Sequence, residues 1–185
     1  MVLTPSRMLP LKTPAPNFTL LDVVTNKSVS LQTIKSDIAT VIMFICNHCP
    51  FVQHIQDKLI EIASNYQQKN IQFIAICSND SKKYPDDSPK KMRTMAKEKK
   101  YSFPYLHDET QQVAKNYRAA CTPDFFIFDK NLLCVYRGQF DDSRPGNGIP
   151  VTGKDISGAL DAILSGQAVN QNQKPSIGCN IKWKW

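Results

Sequence analysis

The chain has no long apolar run. Its longest uninterrupted stretch, Val41 to Cys46, is far short of the ~18 residues that a bilayer helix needs, so no membrane span is expected. The first ten residues lack a continuous apolar core and are broken by Pro5 and Pro10, which argues against a cleaved signal peptide. There is also no internal repeat and no low-complexity linker. With 185 residues, 42% hydrophobic and 21% charged, the simplest organisation is one domain with a substantial core. Six cysteines are too few and too unevenly spaced for a secreted disulfide scaffold, and a cytoplasmic chain with mostly reduced thiols is expected. The net charge of +7 lacks what nucleic-acid binding would add. Most of the excess lies between Lys82 and Lys100, with eight Lys/Arg against three acids, and no aromatic platform interleaves it. A solvated basic helix face is the plainer reading. No cofactor is implied.

What is present is Cys46-Asn47-His48-Cys49, where the apolar run Val41 to Ile45 gives way to a helical pattern of Phe51, Ile55, Leu59 and Ile62. A thiol at a helix start meets unpaired amides and the positive end of the macrodipole, which favour its thiolate. Two thiols two residues apart can close a disulfide and form a two-electron couple. Half a zinc site, or two structural thiols, is the alternative.

Strands and helices alternate along the chain. Phe18–Val24 and Val29–Leu31 read as a hairpin, Val41–Ile45 and Ile71–Ile76 as buried strands, and Phe51 to Tyr66 as a long helix. Ser88-Pro89 supplies an N-cap with proline at the first helical position of a helix to about Lys100. Asp108 with Gln111 suggests a capping box for a short helix through Tyr117. A hairpin of Phe125–Phe128 and Leu132–Tyr136 follows, then a helix capped by Thr152 and Asp155 and ended at Gly166. The order βαβ then ββα, with CxxC at the first strand-helix junction, calls for an α/β thioredoxin-like sandwich: a central mixed β-sheet flanked by helices, with an N-terminal β-hairpin and a C-terminal tail. Residues 1–166 are assigned to the domain and 167–185 to a tail packing back on it.

The segments Phe44 to Val52, Ser78-Asn79-Asp80, Tyr84 to Pro89, Phe103 to Leu106, Cys121 to Phe126, Tyr136-Arg137-Gly138, Phe140 to Asn147 and Pro175 to Trp183 resemble a thioredoxin-superfamily redoxin of the peroxiredoxin-like, AhpC/TSA-related group. The resemblance implies a thiol-disulfide oxidoreductase acting on protein or small-molecule disulfides and served by a cellular thiol reductant. In it Cys46 would be the exposed nucleophile at the helix N-cap, and Cys49, one turn in, the buried resolving thiol. His48 would stabilise the reduced thiolate and raise the potential. Thr122-Pro123 would be the cis-proline beside the CxxC, exposing the Thr122 backbone to an extended substrate segment. His54 reads as a surface residue and Cys121 as a small buried hydrophobe. The chain departs from thioredoxins in having Ile45 before the first cysteine and Thr40 where a buried acid is usual. Pro50 is expected to leave a carbonyl near Cys46 without its helical partner.

Two other functions compete. A peroxidase would need P-x-x-x-T/S-x-x-C, and neither Cys46 nor Cys49 completes it. Metal binding or copper delivery by Cys46, His48 and Cys49 would need further ligands from Cys179, Cys121 or His54. Ile177, Ile181, Trp183 and Trp185 suggest that the tail packs on the domain. If that return brings Cys179 to the CxxC, Cys179 becomes a third, resolving thiol; otherwise it only packs.

Overall fold

The computed structural model describes residues 3–184. Its centre is a mixed sheet of seven strands. They are β2 (Thr19–Asp22), β3 (Lys27–Ser30), β4 (Ala39–Phe44), β5 (Ile71–Cys77), β6 (Tyr105–His107), β8 (Asp124–Asp129) and β9 (Cys134–Gly138), in the order β3-β2-β6-β5-β4-β8-β9. β4 runs parallel to β5 and antiparallel to β8, and β5 runs parallel to β6. β4 and most of β5 and β8 are buried on both faces, as a doubly covered sheet requires. The strand period of two separates their side chains. Val41, Met43 and Ile45 join one core layer, and Ile42 and Phe44 join the other.

The first layer is closed by α2 (Pro50–Gln67), α3 (Pro89–Glu98) and α5 (Lys154–Leu164), and the second by α1 (Leu31–Ile34) and α4 (Gln112–Asn116). The buried stripe of α2 is Val52, Ile55, Leu59, Ile62, Ala63 and Tyr66, at the 3.6-residue period. Phe51 is only partly buried. A mixed α/β sandwich of the thioredoxin-like kind is thus realised, including the hairpin of β2 and β3.

The ends of the elements refine the expectations. Asp108 and Gln111 form no capping box: Asp108 Oδ2 accepts from Ser78 Oγ and the Ala114 amide, and the Gln111 side chain donates to the Ser78 and Lys182 carbonyls. Gly153, at φ +66°, holds the N-cap position of α5, while Thr152 Oγ1 accepts from the Lys154 amide and the Thr152 amide donates to Asp141 Oδ2. Gly166 (φ +69°) does end α5. Its amide bonds Ile163 and the Gln167 amide bonds Ala162, the paired closure of a Schellman motif.

A second, three-stranded sheet positions the tail. β10 (Ile177–Asn180) lies between β1 (Leu3–Pro5) and β7 (Cys121–Thr122), antiparallel to both. Ser176 Oγ donates to the Gly138 carbonyl, and Trp183 packs on the second core layer. Trp185 lies outside the described residues. Among the described residues no helix is long and apolar enough to cross a membrane.

Candidate active site

The CxxC follows the central strand β4, and the helix starts within a residue of the expected Phe51, but its N-cap is not the expected Cys46. Pro50 is the first residue of α2 and Cys49 its N-cap. Proline suits that position, since its missing N–H would be unpaired there anyway and its φ is already helical. Pro50 therefore costs no helical hydrogen bond, contrary to the expectation above. Cys49, not Cys46, stands at the helix N-terminus, and Cys46 is not exposed: Cys46, Cys49 and Cys179 are 2%, 0% and 2% accessible.

The three sulfurs form one cluster against Thr122. Cys49 Sγ lies 3.1 Å from the Thr122 carbonyl oxygen and 2.7 Å from Cys179 Sγ, and Cys46 Sγ lies 3.4 Å from Thr122 Oγ1. The Thr122-Pro123 bond is cis. The hydrogen bond from Cys46, helped by Cys179, Thr122 and the Val52 amide at the third helical position, holds the Cys49 thiol down to about 5 against its burial. Cys46 moves the other way. Its hydrogen bond to Cys49, its burial and the Asp87 charge all keep it protonated well above the usual range. Cys179 is pushed up to about 12 by burial and by the same donation to Cys49. The shared hydrogen bonds thus lower Cys49 and raise its two neighbours.

His48 is neither a free surface residue nor a loose cation. Its Nδ1 lies 2.6 Å from Oδ2 of the fully buried Asp87, and its ring stacks on Tyr84 at 5.5 Å and 9°. The Asp87 bond raises the His48 pKa. Burial alone would raise Asp87, but hydrogen bonds from His48, Asn79 Nδ2 and the Asn47 amide outweigh it and hold the carboxyl below its usual value. Asn47 is fixed in turn: its Nδ2 donates to the Asp86 carbonyl and its Oδ1 accepts from Tyr105. Sequence reasoning gave no role to Asp87, Asn79 or Tyr84. They belong to the segments that carried the resemblance, but no local pattern shows that they meet His48, 39 residues away for Asp87.

Other expected residues divide. Cys121 is fully buried and its thiol is raised by desolvation, as a packing residue should be. His54 is half-buried rather than a surface residue, and among the described residues its buried Nε2 has no partner. The Thr122 backbone is not open to a substrate: it pairs with Cys179 in β10. For the metal reading, donor atoms of Cys46, His48 and Asp87 lie within 4.8 Å of one another. Both Asp87 oxygens and His48 Nδ1 are, however, already engaged in hydrogen bonds, which a metal would have to displace.

Residues 11–137 match the AhpC/TSA family. The chain belongs to that family. It is similar to an uncharacterized conserved protein from Geobacillus kaustophilus, at 60% identity over 100% of this chain and 97% of that one, with a TM-score of 0.98. A hypothetical protein from Sinorhizobium meliloti 1021 is 45% identical over 98% of each chain, with a TM-score of 0.95. A thioredoxin-family thiol:disulfide interchange protein from Chlorobium tepidum shares the fold, with a TM-score of 0.61 at 16% identity over 86% of this chain and 97% of that one. The curated proteins contain no significant match.

Proposed function

We propose that this AhpC/TSA-family protein is a thiol-disulfide oxidoreductase whose redox couple is Cys46 and Cys49, acting on protein or small-molecule disulfides in a reducing compartment such as the cytoplasm. The observation that carries the reading is the placement of the pair: Cys49 caps the N-terminus of α2 and shares with Cys46 a hydrogen bond that lowers the Cys49 thiol and raises that of Cys46. In the forward step the Cys49 sulfur attacks a substrate disulfide and forms a mixed disulfide, and the released thiolate takes a proton from solvent. Cys46 then attacks the Cys49 sulfur as the second substrate thiolate leaves, and the Cys46 proton passes to that leaving group. Two electrons have moved to the substrate, and Cys46–Cys49 is left as a disulfide. A cellular thiol reductant reverses the change.

His48 and Asp87 position the loop between the cysteines. The His48 ring lies by Cys46, with donor atoms of Cys46, His48 and Asp87 within 4.8 Å of one another, and its protonated form adds a positive charge there that favours the reduced state and makes the couple more oxidising.

Family membership favours thiol peroxidase as the second reading, and Thr122 Oγ1 does lie against Cys46. Neither Cys46 nor Cys49, however, completes the P-x-x-x-T/S-x-x-C pattern that a peroxidase would need. A glutathione redox titration with mass mapping tests the proposal. A Cys46–Cys49 disulfide with a defined midpoint is expected, with catalysed reduction of a disulfide such as insulin's. Peroxide consumption without disulfide exchange would overturn it in favour of the peroxidase.

A further inference from the structure

The tail places a third thiol against the couple, and it does so through fixed strand pairing. β10 is registered on both sides, with Cys179 opposite Leu3 of β1 and opposite Thr122 of β7. Upstream, the Ser6 amide bonds the Ser176 carbonyl. Downstream, the Ile181 amide bonds the Ala120 carbonyl. The Lys182 amide donates to Asn79 Oδ1, and Asn79 Nδ2 donates to Asp87, so the tail is tied to the network that holds His48. Gly178 explains how Cys179 comes so near. A Cβ at that position would lie 2.0 Å from the Thr122 carbonyl oxygen, so a side chain there would push β10 off β7. The glycine lets the backbones close until Cys179 Sγ sits 2.7 Å from Cys49 Sγ, which also shares a hydrogen bond with Cys46.

We propose that Cys179 is a catalytic thiol of this site, and that Cys49 exchanges disulfide partners between Cys46 and Cys179. The inference rests on the Cys46/Cys49 couple proposed above and adds a second internal disulfide to it. Cys179, as thiolate, attacks the Cys49 sulfur of the Cys46–Cys49 disulfide. The Cys49–Cys179 bond forms, the Cys46–Cys49 bond breaks, and Cys46 leaves as a thiolate that takes up the proton Cys179 gave up. No electrons are gained or lost, so no outside oxidant or reductant takes part. The result frees Cys46 while the oxidising equivalent is kept, and it ties β10 to the start of α2. Because β10 is already seated, the exchange needs no movement of the tail.

The test uses the full chain, oxidised with stoichiometric oxidised glutathione, quenched in acid, alkylated under denaturing conditions and mapped by mass spectrometry. Wild type is expected to give both Cys46–Cys49 and Cys49–Cys179 peptides, Cys46→Ser to give Cys49–Cys179, and Cys179→Ala to lose the second species. A wild type with only Cys46–Cys49 and a fully alkylatable Cys179 overturns the inference and leaves the proposed couple standing. A wild type with Cys49–Cys179 but never Cys46–Cys49 removes the couple, and with it the exchange. Should Cys46→Ser fail to fold, the wild-type map decides alone.

Discussion

Six cysteines are buried in this protein, and those of the central sheet contrast with one member of the cluster at the CxxC. Cys77 and Cys134 lie in strands of the central sheet, where burial raises both thiols, Cys134 to about 12. Cys49 is as deeply enclosed, but it caps a helix and receives hydrogen bonds from thiols and an amide, and it is lowered. Cys46, three residues earlier, shares the cluster without the helix and is raised. Burial by itself makes a thiol inert. What separates the reactive sulfur from the others is the number of donors aimed at it.

The comparison can be broken first at its reactive end. Cys49→Ser should abolish catalysed disulfide exchange, since it removes the one thiol of the cluster that its surroundings lower; a coupled turnover assay reads the loss. Retained turnover would mean that another cysteine carries the chemistry.

Asp87 is the next largest lever. It is fully buried and bonded to His48, Asn79 and the Asn47 amide, so Asp87→Ala should cost about 3–5 kcal/mol, the usual consequence of stripping one partner from a buried pair. Denaturant unfolding measures it. The ion pair also has a pH signature. The Asp87 contribution is present above the unfolded carboxyl value and is lost as pH falls through its lowered folded value. The His48 contribution is complete below the unfolded imidazole value and is lost as pH rises through its raised folded value. The stability gap between wild type and His48→Gln should therefore be widest between about pH 4 and 6.5 and should narrow on the alkaline side. A gap that widens with pH there would contradict the pairing.

The inert end should yield the smallest effect. Cys134→Ala is expected to lose about 1 kcal/mol through packing alone, with no change in exchange rate. A slower exchange would show that a sheet cysteine communicates with the site.

Much of this contrast is legible in the sequence itself. The buried strand Val41–Ile45, the CxxC after it and the helix beyond it are local patterns, and they carry the fold. Proline's preference for the first helical position is plain at Ser88-Pro89 and holds equally at Cys49-Pro50. There the CxxC motif masks it, and the helix start, with the favoured thiolate, is expected at Cys46 instead. The Gly178-Cys179 pair in a tail that regains apolar residues hints at a return. Its seat is not readable, because Thr122 and Asn79 meet it only through pairing and turns that the whole fold brings together. Nor does any local signal join Cys49 to Cys179, 130 residues on.

The central claim is that the cluster's thiolate sits on Cys49. Ultraviolet thiolate absorbance followed against pH tests it without any reagent having to reach the buried sulfurs. Wild type should show one thiol titrating in the acid range; Cys49→Ser should lose that transition, and Cys46→Ser should keep it but shift it upward as a donor is removed. An acid-range transition that survives in Cys49→Ser and vanishes in Cys46→Ser would contradict the account.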